Sequence, residues 1–319
     1  MRITFAIQRF NPETDHAPRL EELRADIAWR GTTVLDALFH LRQEVDPTLT
    51  FRASCRSAIC GSCSMVINGR HTLACKTLIG PEVEKYGPTI TLRPMSNLPM
   101  LKDLAVQMEP FWTKIRAVTP WIETNGGAPA AALTKEVRTW LHNADACIMC
   151  GACVSSCNSL AASPTFLGPA ALAKAYRFYA DPRDQAKTQR LETLIAPDGI
   201  WDCTRCNFCV EVCPKDVQPM EQIVRLRRAA IQAGMTDSIA ARHITSFVDV
   251  VHDEGRLNEG RLPLQMLWRS PVALAQTLPL AAKMFVRGKV PFFWHRPLAS
   301  ISRIRRLFKH WIKTSTWAS

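Results

Sequence analysis

Apolar residues recur at every second position near the start of the chain. Ile3, Phe5 and Ile7 fall within Met1–Phe10 at the period of a strand with one face on a core, and the segment reads as an edge of a sheet. Similar short runs follow at Thr50–Arg52, Ser64–Ile67 and Thr89–Leu92. Between them the period changes. In Val34–Glu44, Leu35, Leu38, Phe39 and Leu41 lie mainly on one helical face, with Thr32 or Thr33 as the cap. Residues 1–105 therefore read as a small α+β domain. From residue 106 to about 235 the pattern is helical, with Val137, Trp140 and Leu141 on one face of Thr134–Asn143, then Pro169–Tyr179 and Gln185–Ile195. The Gly/Ala/Pro stretch Asn125–Ala132 reads as a loop. Trp112, Trp121 and Trp140 read as packing residues.

Residues 236–319 form a third segment. Ser238–Val251 has helical character and Arg256–Pro263 reads as a break. Ser270–Ala282 is free of charge but too short to span a bilayer, and Pro279 interrupts it. Leu298–Lys313 is amphipathic. Leu298, Ile301, Ile304, Leu307, Phe308, Trp311 and Ile312 take one half of the wheel, and Arg303, Arg306, Lys309, His310 and Lys313 the other. The net charge of +12 belongs almost wholly to Gly260–Ser319, which holds 11 Lys/Arg and no Asp or Glu. Such a helix suits an anionic membrane surface. It equally suits a partner subunit that covers the apolar stripe. No nucleic-acid-binding module accompanies the charge, so no nucleic acid is expected.

Cysteine spacing changes the picture from packing to chemistry. The 12 cysteines of this 319-residue chain fall into three sets of four. An even number permits disulfides, yet the tight spacings suit metal centres better. Met1–Phe10 also lacks the apolar core of a secretory leader, so a reducing, cytoplasmic setting is expected. The first set, Cys55-x4-Cys60-x2-Cys63 with the distant Cys75, has the plant-type spacing for a [2Fe–2S] cluster, and Gly61 and Ser62 let the loop approach closely. Zinc is the competing reading, although zinc ligands usually come as two C-x2-C pairs or with His.

The other two sets are Cys147-x2-Cys150-x2-Cys153-x3-Cys157 and Cys203-x2-Cys206-x2-Cys209-x3-Cys213. This is the bacterial two-cluster spacing, in which the fourth cysteine of each run serves the other cluster. One cubane is thus expected on Cys147, Cys150, Cys153 and Cys213, and the other on Cys203, Cys206, Cys209 and Cys157. Pro214 follows the second run as usual, whereas Asn158 stands where the first would have Pro.

Arg9-Phe-Asn-Pro-Glu-Thr-Asp15, Thr33-Val-Leu-Asp-Ala-Leu38, Asp46-Pro-Thr-Leu49, the Cys55–Cys63 loop, Leu73-Ala-Cys75-Lys-Thr77 and Pro99-Met-Leu-Lys-Asp103 resemble the iron–sulfur subunit of succinate dehydrogenases and fumarate reductases. The resemblance runs to about Ala233. It takes in Gly168-Pro-Ala-Ala171, Ala175-Tyr-Arg-Phe178 and Asp181-Pro-Arg-Asp184. It implies a β-grasp plant-type ferredoxin domain, then an all-α bacterial-ferredoxin-like domain, here followed by a basic helical tail. Four departures matter. Ala58 replaces a common Gly. Cys206 stands where most members lack a cysteine and hold [3Fe–4S], so a second [4Fe–4S] is expected here. Thr204 replaces the His that faces quinone, and Leu160, Ala161 and Ala162 offer no Trp after the first run, although Ser159 matches. Finally, Arg287–Arg296 is distantly similar to tails of heterodisulfide-reductase-like subunits.

The resemblance implies an electron-transfer subunit between an FAD-containing flavoprotein that handles succinate or fumarate and a quinone or membrane anchor. It would sit peripherally on the cytoplasmic side of the cell membrane, with no catalytic acid or base of its own. The competing readings are the iron–sulfur subunit of a glycerol-3-phosphate- or glycolate-type dehydrogenase, and a free-standing ferredoxin-like carrier.

Overall fold

A computed structural model describes residues 1–28, 30–124, 135, 141, 143–268, 270–289 and 296–314. The loop expected at Asn125–Ala132, and Val137 and Trp140 of the helix expected after it, lie outside the described residues, as do the side chains of Trp311, Ile312 and Lys313. Contacts divide the chain into two compact units, Met1–Ala229 and Ala230–Ser319. Residues 1–105 and the helical residues that follow thus share the first unit.

The first unit opens with a five-stranded sheet in the order β2-β1-β5-β3-β4. Its strands are β1 (Arg2–Arg9), β2 (Arg19–Asp26), β3 (Ser64–Ile67), β4 (Arg70–Leu73) and β5 (Thr89–Arg93). Ile3, Phe5 and Ile7 are fully buried, but β1 is not an edge. It pairs antiparallel with β2, Ile3 opposite Ala25, and parallel with β5, Phe5 opposite Ile90. The edge on that side is β2, whose charge-rich sequence carries little strand signal. It is held by pairing with β1 along its whole length, and its charges discourage pairing with another chain. Thr50–Arg52 forms no strand. The Thr50 N–H instead donates to Asp103 Oδ2 at 2.9 Å.

Helix α1 (Val34–Glu44) begins at Thr33. The Asp36 N–H donates to Thr33 Oγ1 and the Thr33 N–H to Asp36 Oδ2, both at 3.1 Å, a reciprocal capping box. Its buried Leu35, Leu38 and Leu41 join Phe5, Met65, Ile67 and Leu92 of the sheet in one core. Each such side chain contributes about 1.5–3 kcal/mol by leaving water. A second helix, α2 (Ile79–Tyr86), leads into β5. A short hairpin follows from β6 (Met100–Lys102) and β7 (Ala105–Val106).

Buried Arg9 ties these parts together. It donates through Nε to Asp103 Oδ1 at 3.0 Å and through Nη2 to Thr48 Oγ1 at 2.8 Å, and it pairs with Asp46. Burial and the Arg9 charge oppose one another at Asp46. Hydrogen bonds from Thr48 and Arg9 prevail and hold its carboxyl down at about 2.

The helical part comprises α3 (Glu109–Ala117), α4 (Ala152–Ser155), α5 (Asn158–Ala162), α6 (Gly168–Tyr179), α7 (Lys187–Ile195), α8 (Phe208–Glu211) and α9 (Pro219–Gln232). Helix α6 is its hub. Ala170, Ala171, Ala173 and Ala175 are buried, and these small side chains let α3, α4 and α7 pack closely. Arg190 of α7 is buried on Asp184 at 2.6 Å and donates to the carbonyls of Thr119 and Trp121 at 2.7 and 2.6 Å. Trp112, 38% exposed, packs edge-on against Phe111 with ring centroids 4.9 Å apart, whereas Trp121 departs from the packing expectation at 55% exposed. The backbone of the second is what Arg190 holds.

The second unit contains α10 (Ile239–Glu254), α11 (Arg261–Leu267), α12 (Pro271–Val286) and α13 (Ile301–Thr314). Pro279 does not break α12, which runs through it. Part of the apolar stripe of Leu298–Lys313 lies on the chain itself. Phe308 meets the His252 ring edge-on at 5.4 Å, and Gly255, the C-cap of α10, sits against Leu298 and Ile304. Arg305 donates to the His252 and Asp253 carbonyls near the end of α10. Among the described residues no helix is long and apolar enough to cross a membrane.

Candidate functional site

The first cysteine set is built on the loop between α1 and β3. Cys63 ends the loop at β3, and Cys75 follows β4. The N–H groups of Ser57, Ile59 and Cys60 donate to Cys55 Sγ at 3.3–3.4 Å, and that of Cys55 to Cys60 Sγ at 3.4 Å. Cys75 Sγ accepts from the Ala58 N–H at 3.3 Å, and Cys63 Sγ from the Cys75 N–H at 3.4 Å. To aim these N–H groups inward the backbone turns left-handed at Arg56, Ala58 and Gly61. The Arg56 guanidinium is held over the Phe39 ring, 4.1 Å from its centroid. Hydrogen bonds from Ser62, then from the Cys55 and Ser62 N–H groups, pull exposed Cys60 down to about 6. Burial pushes Cys63 up to about 12.

The two later runs fold alike. Met149 and Arg205, each two residues after the first cysteine of its run, are left-handed at φ +55° and +57°. Gly151 and Asn207, each just after the second cysteine, are left-handed at +78° and +71° and cap α4 and α8. Asn therefore fills in the second run a slot that Gly fills in the first, as the residue next best suited to that conformation.

Cys147, Cys150, Cys153 and Cys213 line one small cavity with Ile148, Pro214 and Val217. Cys213 Sγ accepts from the Val217 N–H at 3.3 Å. Cys157 and Cys209 are both pushed up, first by burial and then by the neighbouring thiols of Cys203 and Cys206. The fold thus brings the fourth cysteine of each run to the other run. Burial also raises Cys150 to about 11 and Cys209 to about 12. As free thiols these groups keep their protons, and a bound iron centre is what would draw out the thiolates. Sulfur-only donor sets with inward N–H groups fit iron–sulfur clusters. Among the described residues, no group of three or more His, Cys, Asp or Glu is arranged to hold a single metal ion.

Contacts between residues far apart in the chain fasten the sets to one another. Cys150 and Ile148 pack on the core of the sheet domain. A Cβ placed on Gly61 would lie 2.6 Å from Cys150 Cβ, so the two loops touch. Helix α4, with Cys153, packs on α8, with Cys209. Asn97 Nδ2 donates to the carbonyls of Val154 and Cys157 at 2.9 and 3.0 Å, capping the segment between two cysteines. His71 Nδ1 lies 2.6 Å from Ser155 Oγ, which also accepts from the Ser96 N–H. Arg227, buried in α9, donates to the carbonyls of Ile200, Trp201 and Cys203. Thr204 is exposed, and its N–H donates to Ser159 Oγ at 3.4 Å.

Residues 4–113 match the family model for a 2Fe-2S iron-sulfur cluster binding domain, and residues 143–217 that for a 4Fe-4S dicluster domain. The fumarate reductase iron-sulfur subunit of Haemophilus influenzae is 36% identical over 232 residues, covering 68% of this chain and 88% of that protein. That of Mycobacterium tuberculosis is 37% identical, covering 72% and 93%. The succinate dehydrogenase iron-sulfur subunit of Coxiella burnetii is 36% identical, covering 72% and 97%. Among solved structures, a chain of the Mycobacterium smegmatis Sdh1 complex in the apo form matches with a TM-score of 0.66 at 21% identity, covering 74% of this chain and 98% of that one. That likeness concerns the fold. With a ferredoxin domain followed by a dicluster domain, and with identity of this order along nearly the whole length of these relatives, the chain belongs to the family of fumarate reductase and succinate dehydrogenase iron–sulfur subunits.

Proposed function

We propose that this subunit passes electrons singly between an FAD-containing flavoprotein subunit and a quinone or membrane anchor. The observation that carries the reading is the serial contact of three cysteine sets, Gly61 against Cys150 and then the helix of Cys153 against that of Cys209. In this reading Cys55, Cys60, Cys63 and Cys75 hold [2Fe–2S]. Cys147, Cys150, Cys153 and Cys213 hold [4Fe–4S], and Cys157, Cys203, Cys206 and Cys209 hold a second [4Fe–4S] rather than [3Fe–4S]. When bound, the clusters supply the one-electron carriers that divide the two-electron chemistry of a flavin. The protein supplies thiolates, N–H groups that moderate sulfur charge, and burial that keeps water away.

The sheet order and the parallel β1–β5 pair support a β-grasp ferredoxin domain at residues 1–105, with the dicluster domain at 106–235 and the tail at 236–319. With Thr204 and Ala161 exposed at the third set, quinone or the next carrier meets a surface without the family's His and Trp. The subunit works peripherally on the cytoplasmic side of the cell membrane. The exposed Arg303, Arg306 and Lys309 of Leu298–Lys313 support an anionic membrane surface as one of its neighbours.

Purification from native membranes, with the co-purifying subunits identified and the clusters titrated by EPR, tests the reading. A flavin-containing partner and three cluster signals are expected. A chain that elutes alone would overturn the complex, and a stoichiometric three-iron signal in the oxidised protein would overturn the second [4Fe–4S]. Cys157→Ser should perturb the signal of the Cys203–Cys209 centre and spare the other cubane. The reverse pattern would refute the crossed ligand sets.

A further inference from the structure

Helix α12 is apolar over most of its circumference, with Gln276 and Lys283 marking one narrow polar side, and none of its residues is buried. At 100° per residue, Leu278 and Phe285 lie together on one side, roughly opposite Gln276 and Lys283, and Val272, Leu280 and Val286 spread over the rest. All five are 59–85% exposed. A helix that packs on one protein neighbour needs a single apolar stripe. One that exposes apolar side chains over most of its circumference and keeps a narrow polar, cationic side suits the interfacial layer of a bilayer. Its 16 residues span about 24 Å, short of the ~30 Å needed to cross the hydrocarbon layer.

The charge around it selects the occupant. Lys283 is the helix's sole ionised side chain, in the last turn, with exposed Arg287 and Lys289 just beyond. No acidic residue occurs after Glu259. Trp268, 74% exposed, stands shortly before the helix, an amphipathic ring of the kind that settles at a headgroup boundary. By contrast, part of the apolar stripe of α13 is covered by α10 through Leu298, Ile304 and Phe308, although Leu307 stays 68% exposed.

We infer that α12 lies in the interfacial layer of an anionic bilayer as a monotopic anchor, with Lys283, Arg287 and Lys289 on the headgroups. This deepens the peripheral-membrane reading above and rests on it. The test is flotation of the full, cluster-loaded chain with vesicles of phosphatidylcholine alone or mixed with phosphatidylglycerol. Two variants accompany the wild type: Leu278→Gln with Leu280→Gln and Phe285→Gln in α12, and Arg303→Gln with Arg306→Gln and Lys309→Gln in α13. The wild type should float with the mixed vesicles. The α12 variant should lose affinity by at least about tenfold at unchanged visible cluster absorbance, and vesicles should slow hydrogen exchange of residues 271–286 in the wild type. If only the α13 variant loses binding, the α12 anchor is wrong while the anionic-surface reading survives. If the wild type binds no vesicle and residues 271–286 are protected only with a co-purified protein subunit, both fall and a protein covers the helix.

Discussion

Gly61 and Cys150 touch across the join between the sheet and the helices. The first is in the loop of one cysteine set and the second belongs to the next set. Gly61 has φ +74°, and a Cβ there would sit 2.6 Å from Cys150 Cβ and 2.7 Å from its Cα. The Gly61 backbone is thus in contact with the Cys150 side chain, with no atom between.

Gly61→Ala must open this contact and also strain the loop. A left-handed alanine costs about 1–2 kcal/mol, and overpacking adds about 1–3 kcal/mol. The variant should lose visible absorbance at a lower temperature than the wild type. EPR spin–spin broadening between the first two centres should weaken as they move apart. Unchanged broadening together with an unchanged bleaching temperature would show that the contact sets neither spacing nor stability.

Ala58 offers the opposite case. It too is left-handed, at φ +54°, so that its N–H reaches Cys75 Sγ. Ala58→Gly removes about 1–2 kcal/mol of strain and adds about 0.4–1 kcal/mol of chain entropy to the unfolded state. A net gain of about 0.5 kcal/mol is expected, read as a slightly higher bleaching temperature. A loss would mean that the methyl group, which packs on the sheet core, outweighs the strain.

Asn207 should tolerate Gly and reject Val. Its φ of +71° matches that of Gly151 in the other run. Asn207→Gly should change stability by less than about 0.5 kcal/mol, since both residues visit this conformation. A β-branched side chain there is a true outlier. Asn207→Val should therefore be purified with the EPR signal of the Cys203–Cys209 centre depleted and that of the sheet domain retained.

Arg9→Met should be severe. Arg9 and Asp103 are 5% and 2% exposed and 3.0 Å apart. Removing one partner leaves a buried carboxylate whose remaining donors are backbone N–H groups, a change worth about 3–5 kcal/mol. The chemical unfolding midpoint should fall accordingly, and Arg9→Met with Asp103→Leu should recover part of it.

Local pattern and distant contact contributed differently to what could be read in advance. Cysteine spacing is local, and it carried the three sets. Residues 9–15, 46–49 and 99–103 read as separate motifs, and only the fold joins Arg9, Asp46 and Asp103 in one network. Strand β2 escaped notice because Arg19–Asp26 has charges where strands usually have branched apolar residues, and its pairing with β1 overrides that propensity. The edge reading of β1 failed for the same reason. His71 and Asn97 act across long stretches of chain, and no period marks them; Gly61 reads as a close-approach glycine, but only the fold shows that Cys150 is what it meets. In the tail, the wheel drew attention to α13, whose stripe turns out to be partly covered. The shorter apolar run before it, interrupted by Pro279, lies on a helix in which Val272, Leu278, Leu280, Phe285 and Val286 are all 59–85% exposed.

His71 links the sheet to α4 in a way that pH can probe. Its Nδ1 faces Ser155 Oγ at 2.6 Å, and burial holds its pKa below the ordinary value. The unfolded chain takes up a proton near pH 6.5, whereas the folded protein resists it until lower pH. Stability owed to neutral His71 is therefore fully present above about pH 6.5 and is lost as pH falls through that value towards the lower folded one. His71→Asn keeps a polar partner for Ser155 and removes the titration. Between pH 7.5 and 6, the rate at which guanidinium bleaches the visible absorbance should rise more steeply in the wild type than in the variant. Parallel slopes would mean that the imidazole protonates without disturbing the join.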